Sequence, residues 1–577
     1  MRTLDGASDF RQVASAASDT ALEPAPEADR PARIALTGVR RYQVVCVAAV
    51  LSACVPYLWV LWDLWSGRVD PLRLNGRDHN PIYDVQARAL MHGHLWIPNR
   101  SIGDEAFVVN GHSYTYFGIF PSLLRLPIFL FTSSLDGRLV GPSMLGAWIV
   151  TAVFCSLLLW RLRVYLRGDP PLGWLEATSY GVLLASILAG SVLIFLASAP
   201  DAFNEDEAWS IALAFGSFFA LLGVVERPSW RRITLCGLLV LLTNLNRATT
   251  GYAVILATLL VAAWFALGRA GEARRHWALA LACAGLVPLL IGCAIDLARF
   301  GVLFGVPFSS QLVFKDFRLQ AINGGNYFSL HWLPDTLKAY LSPANFHFSS
   351  VFPYVFLPPT PTGGLFDGSP TASVPLSIPL LFISGLWGVV TTFRPGRSVE
   401  FRGLRFLLIA AAATAASLLV FGWIFERFVG DFVPLLVIAG MIGLIDVWGR
   451  IRPRPRTGGV LVLVFASLLA VFGFWANMGF ALTPNTDWSE TQLTNYLNVQ
   501  RAFSDVTGHP LNHLVVVGKH PPDNAPVGTL YATPRCGALY VAWQTVSPSG
   551  VPPSARSFVQ VEAAPHTPVC HALIGNH

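Results

Sequence analysis

Long apolar runs recur along most of this chain, separated by short clusters of arginine or of acid. The first runs from Tyr42 to Trp65, long enough for a bilayer crossing, which needs about 20 apolar residues. Further runs lie near 139–160, 174–198, 208–225, 233–246, 250–268, 278–299, 376–393, 405–424, 432–448 and 458–478. Together they predict about eleven transmembrane helices. The run at 233–246 is short and Arg247 follows it directly, so 233–268 reads as a tight helical hairpin with Asn244, Asn246 and Arg247 at its tip. The pattern changes after residue 478. Leu514–Gly518, Thr529–Thr533, Ala538–Trp543 and Phe558–Glu562 are short β-type runs divided by Gly and Pro. The expected fold is an all-α polytopic membrane domain over 41–478 followed by a small β-rich exterior domain over 479–577.

Loop charge orients these helices. With the N-terminus in the cytoplasm, the inner loops carry Arg161, Arg163 and Arg167, then Arg227, Arg231 and Arg232, then Arg269, Arg274 and Arg275. Later inner loops carry Arg394, Arg397, Arg402 and Arg405, then Arg450, Arg452, Arg454 and Arg456. The turn from Asp201 to Glu207 has neither Lys nor Arg, so the positive-inside rule holds throughout. Loops 66–138 and 300–375 and the tail from 479 then lie outside. Residues 1–40 lack apolar periodicity and read as a disordered cytoplasmic tail. No cleavable signal peptide is expected, because the first apolar run begins only after Arg40 and Arg41.

Composition narrows the class. Apolar residues make up 53% of the 577 residues and charged residues 13%, about half the share in soluble proteins. An ordinary soluble enzyme and a disordered chain are both excluded and a polytopic membrane protein is indicated, with the plasma membrane as its expected location. The net charge of +6 is spread between apolar runs, which argues against nucleic acid as a partner. Six of the eight cysteines lie in apolar runs, while Cys536 and Cys570 share the tail, where an exterior pair predicts a disulfide. Asp63, Asp296, Arg299 and Asp446 fall near span ends, so no midplane relay of the kind ion-coupled transporters need is visible.

Candidate chemistry therefore gathers in the outer loops. Pro81 can start a helix that Gly93 ends, lying on the membrane surface. Asp78 sits just before it and Asp84 in its first turns; the positive helix end favours an ionised carboxylate that accepts a proton from an acceptor hydroxyl. Simple helix capping is the alternative role for either. His79, His92, His94 and His112 cluster in the same loop, but no cysteine set accompanies them, and surface histidines are the better reading than zinc ligands. Trp96, Tyr114, Tyr116, Phe117 and Phe120 offer faces for sugar stacking or interfacial anchoring. There is no P-loop and no dinucleotide fingerprint, so direct use of a cytosolic nucleotide sugar is unsupported.

An acidic residue soon after the first span, then a surface helix ending Ala89-Leu-Met-His-Gly93, resembles the polytopic type-C glycosyltransferases. That superfamily includes protein O-mannosyltransferases, aminoarabinose transferases of lipid A, and mycobacterial arabinosyl- and mannosyltransferases. Gly111 to Pro127 is similar to their second surface segment. Tyr83-Asp-Val-Gln-Ala-Arg-Ala-Leu, Tyr114-Thr-Tyr-Phe-Gly and Asn204-Glu-Asp-Glu-Ala-Trp-Ser resemble actinobacterial members, and the resemblance covers roughly 42–450. It implies transfer of a sugar from a polyprenyl-phosphate donor to a glycan, lipid or protein acceptor of the cell envelope, with inversion. A first-loop carboxylate would be the base. Spacing to Gly93 matches Asp78 to the aminoarabinose transferases, whereas the Tyr-Asp-x-Gln-Ala motif favours Asp84.

The resemblance also gives Asp201, Glu205, Asp206 and Glu207 a place in the sugar site, or, through Glu205 and Asp206, in holding a divalent metal. Oxygen ligands suit Mg, Mn or Ca; a solvated outer turn is the alternative. A lipid phosphate needs outer-face cations. Arg247 is the first candidate, with Asn244 and Asn246 adding hydrogen bonds. Arg427 is second, with a local ion pair to Glu426 or Asp431 as its alternative role. Lys315 and Arg318 are weaker candidates. Trp488 and Trp543 in the tail offer carbohydrate platforms, and Arg535–Tyr540 resembles a β-rich repeat at the end of such proteins. Two rival readings remain: a transporter or flippase of lipid-linked sugars, and a non-catalytic scaffold for envelope assembly.

Overall fold

The structure is a computed structural model. It describes residues 29–62, 64, 81–99, 101–168, 170–269, 271–311, 327–348, 352–357, 367–368, 371–451, 455–482, 499 and 503, and four strand segments in the tail. Asp78, Lys315, Arg318, Trp488, Cys536 and Cys570 lie outside the described residues, as does nearly all of the tail around its strands. The six other cysteines are free thiols.

The helices, in chain order, are α1 (Asp29–Leu61), α2 (Ile82–Met91), α3 (Phe120–Phe129), α4 (Val140–Arg167), α5 (Trp174–Ala189), α6 (Val192–Ser198), α7 (Ala202–Glu226), α8 (Trp230–Asn246), α9 (Ala248–Ala266) and α10 (Ala278–Phe300). They continue with α11 (Leu333–Leu341), α12 (Pro379–Phe393), α13 (Val399–Leu419), α14 (Val433–Ile451) and α15 (Pro455–Ala481). Among the described residues, nine helices are long and apolar enough to cross a membrane. Each of the eleven runs read from the sequence contains a helix, but α8 has 17 residues and α12 has 15, and neither is among those nine. The run at 174–198 is broken between α5 and α6, where Ser191 caps α6 by accepting from the Leu193 N–H.

Burial sorts the bundle into a centre and a rim. The most apolar windows of Ala202–Glu226 and Glu426–Ile451 are 94% and 89% buried, against 22% for Glu272–Phe300 and Arg456–Ala481. Helices α7 and α14 are therefore the inner ones, and the exposed apolar faces of α1, α10 and α15 are left for lipid. Close packing of α12 on α14 needs small residues: a Cβ on Gly388 would overlap the Ala439 carbonyl, and one on Gly443 the Ser384 carbonyl.

The first outer loop is compact. Pro81 precedes α2, and Gly93 at φ +76° follows it, in the left-handed conformation that favours glycine. Strands β1 (Phe107–Val109) and β2 (His112–Tyr114) form an antiparallel hairpin, and α3 follows. In the tail, β3 (Val515–Val516), β4 (Leu530–Ala532), β5 (Leu539–Trp543) and β6 (Ser557–Val561) form one sheet in the order β6-β5-β4-β3. Pairing is antiparallel except between β3 and β4. Each β-type run read from the sequence thus contains a strand.

Arginine marks one end of the bundle. At the C-terminal ends of α4 and α7, Arg163 and Arg167 hold Glu176 (3.1 and 2.7 Å) and Arg161 holds Glu226 (3.2 Å). Arg397 and Arg450 hold Asp446 near the end of α14 (2.9 and 2.7 Å). The acids at 205–207 and 431 sit at the opposite ends of α7 and α14. Substituting Gly443 with Leu should force α14 off α12. We expect a fall of several degrees in the unfolding temperature of the purified protein and loss of the monodisperse peak on size exclusion; an unchanged profile would show that this contact is not a packing constraint.

Candidate functional site

The site forms where both inner helices begin. Asp201 caps α7 by accepting from the Asn204 N–H (2.7 Å). Glu205, Asp206 and Glu207 fill the first turns of α7, and Asp431 lies just before α14, where free backbone N–H groups favour negative charge. All four are buried. A buried carboxylate must be paired, and the chain supplies two guanidinium groups from elsewhere.

Arg125, a single charge within the apolar helix α3, serves the first cluster. It is bidentate to Glu205 (Nη1–Oε1 and Nη2–Oε2, both 2.8 Å) and its Nε meets Asp84 Oδ1 at 2.5 Å. Asp84 Oδ2 accepts the Gly137 N–H. Both oxygens of Asp84 are thereby engaged, Oδ2 by Gly137 and Oδ1 in a buried Asp–Arg–Glu bridge that ties α2 and α3 to α7. Ser122 adds a second tie between α2 and α3, donating to Gln86 Oε1 (2.6 Å) or the Tyr83 carbonyl (2.9 Å).

Arg247 serves the second cluster. It is the lone residue between α8 and α9. Its Nη1 meets Glu207 Oε2 (2.5 Å) and Asp206 Oδ2 (3.3 Å), its Nη2 meets Asp431 Oδ2 (2.8 Å), and its Nε donates to Thr249 Oγ1 (3.2 Å). Three carboxylates around one guanidinium leave a formal charge of −2. Asn246 Nδ2 donates to the Asp206 carbonyl (2.9 Å), and the Tyr83 hydroxyl donates to Asp206 Oδ1 (3.3 Å). Asn244 instead faces α10, donating to the Pro288 carbonyl (3.0 Å). The Tyr-Thr-Tyr-Phe-Gly motif docks here too: a Cβ on Gly118 would overlap the carbonyls of Leu245 and Asn246.

Arg427 is placed differently from both. Its guanidinium carbon lies 4.2 Å from the Phe425 ring centre, 4.6 Å from Phe203 and 5.2 Å from Phe428. Its two sequence-adjacent acids are used elsewhere. Asp431 is held by Arg247, while Glu426 accepts from the Thr371 hydroxyl (3.0 Å) and the Ala372 N–H (2.7 Å). Among the described residues no carboxylate pairs with Arg427.

A cavity of about 840 Å³ opens over this region. Asp206, Asn246, Arg247, Arg427 and Asp431 line its charged end; Asp84, Glu205 and Glu207 do not reach it. Its other side is largely apolar, built from Tyr252, Ala253 and Leu256 of α9, Ile295 of α10, and Ala413 and Leu418 of α13. Tyr116 lies on the wall, where burial and then the charge of Glu105 raise its phenol above the ordinary range, so its hydroxyl keeps its proton. His94, Trp96 and His112 stack on one another near the hairpin, with centroids 4.4 and 5.0 Å apart. Among the described residues no three His, Cys, Asp or Glu side chains are grouped to hold a metal. Glu205 and Asp206 point to different arginines.

Sequence reading missed Arg125, whose signal was a single charge inside an otherwise apolar ten-residue helix. It also missed Glu105, which lines the cavity and accepts from Gln311 Nε2 (3.2 Å). Asp296 and Arg299 line the wall as well; Arg299 donates to the Phe117 carbonyl (3.1 Å) and so tethers the first loop to α10.

No family model matches the sequence, and no curated protein matches it. Among solved structures, the chain is similar to the archaeal oligosaccharyltransferase AglB from Archaeoglobus fulgidus, in complex with an inhibitory peptide and a dolichol-phosphate. The TM-score is 0.45 at 14% identity, over 79% of this chain and 59% of that one. It is also similar to ArnT from Cupriavidus metallidurans bound to undecaprenyl phosphate, with a TM-score of 0.38 at 14% identity over 83% and 81% of the two chains. The chain spans about three fifths of the length of the archaeal protein.

Asp84→Asn should act on stability. Removing one partner of a buried ion pair costs about 3–5 kcal/mol, so the purified variant should unfold well below wild type. In a double-mutant cycle with Arg125→Met the two losses should not add. Wild-type stability in Asp84→Asn would show that the bridge does not hold the first loop in place.

Proposed function

We propose that the chain is an integral membrane glycosyltransferase that moves a sugar from a polyprenyl-phosphate donor to a cell-envelope acceptor, with inversion. The observation that carries this reading is the two-sided cavity: an apolar wall that suits an isoprenoid chain, leading to a charged end where an unneutralised arginine shares the lining with acids. Arg427 is the proposed phosphate ligand. Its planar guanidinium is stacked on aromatic rings, so its fork of donors is preorganised for bidentate phosphate contact. Arg247 is a poorer choice than the sequence suggests, because three carboxylates already take its donors.

The proposed reaction is one displacement. An acceptor hydroxyl loses its proton to a carboxylate and attacks the anomeric carbon on the face away from the phosphate. The bond from that carbon to the phosphate oxygen breaks, and polyprenyl phosphate leaves, its added charge met by Arg427. Asp84 is held on both oxygens and is not among the residues that line the cavity, so we assign the proton acceptor to Asp78. We place the acidic end of the bundle outside the membrane, because the arginine-rich end belongs in the cytoplasm. A metal is not required by any step of this scheme.

Transfer from radiolabelled lipid-linked sugars, in membranes with matched expression, tests the proposal. Asp78→Asn should lower the rate by about 10²–10⁴-fold, the range for loss of a general base. Arg427→Ala should weaken donor binding by about 10–100-fold, the range for charge-assisted hydrogen bonds, and Arg427→Lys should recover only part of it. Wild type that transfers nothing from a broad donor panel, while moving the lipid-linked sugar between leaflets, would replace this reading with the transporter.

A further inference from the structure

The acidic end of the cavity carries more acceptors than its own residues can satisfy. Asn246 is 1% exposed; its Nδ2 is committed to the Asp206 carbonyl, and its Oδ1 has no partner among the described residues. Asp431 is 4% exposed; its Oδ2 is committed to Arg247, and its Oδ1 likewise has none. Both residues line the cavity. Buried polar atoms in folded proteins are nearly always hydrogen-bonded, so two orphans of one kind on residues lining one cavity mark what a ligand should bring. Both orphans are acceptors. The donors of Arg247 are spent, Nη1 on two carboxylates, Nη2 on a third and Nε on Thr249, and Arg427 is the guanidinium assigned to the donor's phosphate.

We infer that this end is a sugar subsite that binds through ligand hydroxyl donors alone, accepting an uncharged polyhydroxyl ring and rejecting an anionic sugar such as a uronic acid. The inference rests on the donor-site reading of the cavity and adds its specificity. A neutral ring offers several O–H groups and fills both orphan acceptors, with no charge to desolvate. With Arg427 taken by the phosphate, a ring carboxylate beside Asp206 and Asp431 would meet acceptor oxygens and three carboxylates that share the one guanidinium of Arg247, a combination that disfavours it on hydrogen bonding and on charge alike. The same balance steers the donor's phosphate away from Asp206 and Asp431 and onto Arg427. Specificity here comes from leaving the wrong ligand without partners, which discriminates more sharply than pocket volume.

The test uses the purified full-length protein and three soluble donor analogues: citronellyl phosphate, citronellyl phosphoglucose and citronellyl phosphoglucuronate. Binding is followed by intrinsic tryptophan fluorescence. The glucose compound should bind at least tenfold more tightly than the glucuronate compound. Asp431→Asn, which removes one negative charge, should narrow that ratio. Asn246→Asp, which keeps the acceptor and adds a charge, should widen it, so the two variants move the readout in opposite directions. Equal binding of both sugars alongside good binding of citronellyl phosphate would overturn the subsite and leave the donor-site reading standing. Binding of none of the three would overturn both. Loss of glucose-compound binding on EDTA treatment, restored by Mn²⁺, would also overturn it, since the acceptors would then serve a cation.

Discussion

A guanidinium enclosed by three carboxylates organises one end of this bundle. Asp206 and Glu207 come from the start of α7, Asp431 from the lead-in to α14, and Arg247 from the one-residue break between α8 and α9. None of these groups is stable buried alone, and removing one partner strands the others, so the cluster forces four segments to one place. It also explains where the chain can tolerate acid. The first turns of two inner helices supply free N–H groups and positive dipole ends, which offset part of the cost of burying charge.

From that junction the remaining parts follow in order. Tyr83 reaches Asp206 from α2, and the Asp84–Arg125–Glu205 bridge fixes α2 and α3 against α7. Gly118 lets the loop backbone lie on the end of α8, and Arg299 holds that loop from α10. Because Arg247 takes Asp431, and Glu426 is occupied by Thr371 and Ala372, Arg427 is left as a cation on a bed of phenylalanine. The cavity's polarity is therefore a by-product of how the buried charges are paired. One arginine is consumed by structure so that another is left facing the cavity.

Much of the scaffold was legible along the chain. Apolar runs are local, and each of the eleven contains a helix; the alternating β-type runs of the tail contain the four strands. The hairpin tip at Arg247 was legible for the same reason, since one short apolar run ends there and another begins. Side-chain partnerships were not. Asp84 looks like a helix-start carboxylate in its own segment, and its engagement depends on Arg125, 41 residues away. Arg247 and Asp431 are 184 residues apart. Reading Arg427 beside Glu426 and Asp431 invited a local ion pair, because sequence shows proximity along the chain and not which way each side chain turns. Charge balance at the site was decided by those long-range choices.

The central claim is that the donor lies across the cavity with its phosphate on Arg427 and its sugar toward Asp206 and Asp431. A cryo-electron microscopy structure of the protein with a bound polyprenyl-phosphate sugar tests it most directly. The account predicts phosphate density within hydrogen-bonding distance of the Arg427 guanidinium, the isoprenoid along Leu256 and Leu418, and the ring against the Asn246 and Asp431 side-chain oxygens. Phosphate density on Arg247 with its carboxylates displaced, or a lipid bound outside this cavity, would contradict it.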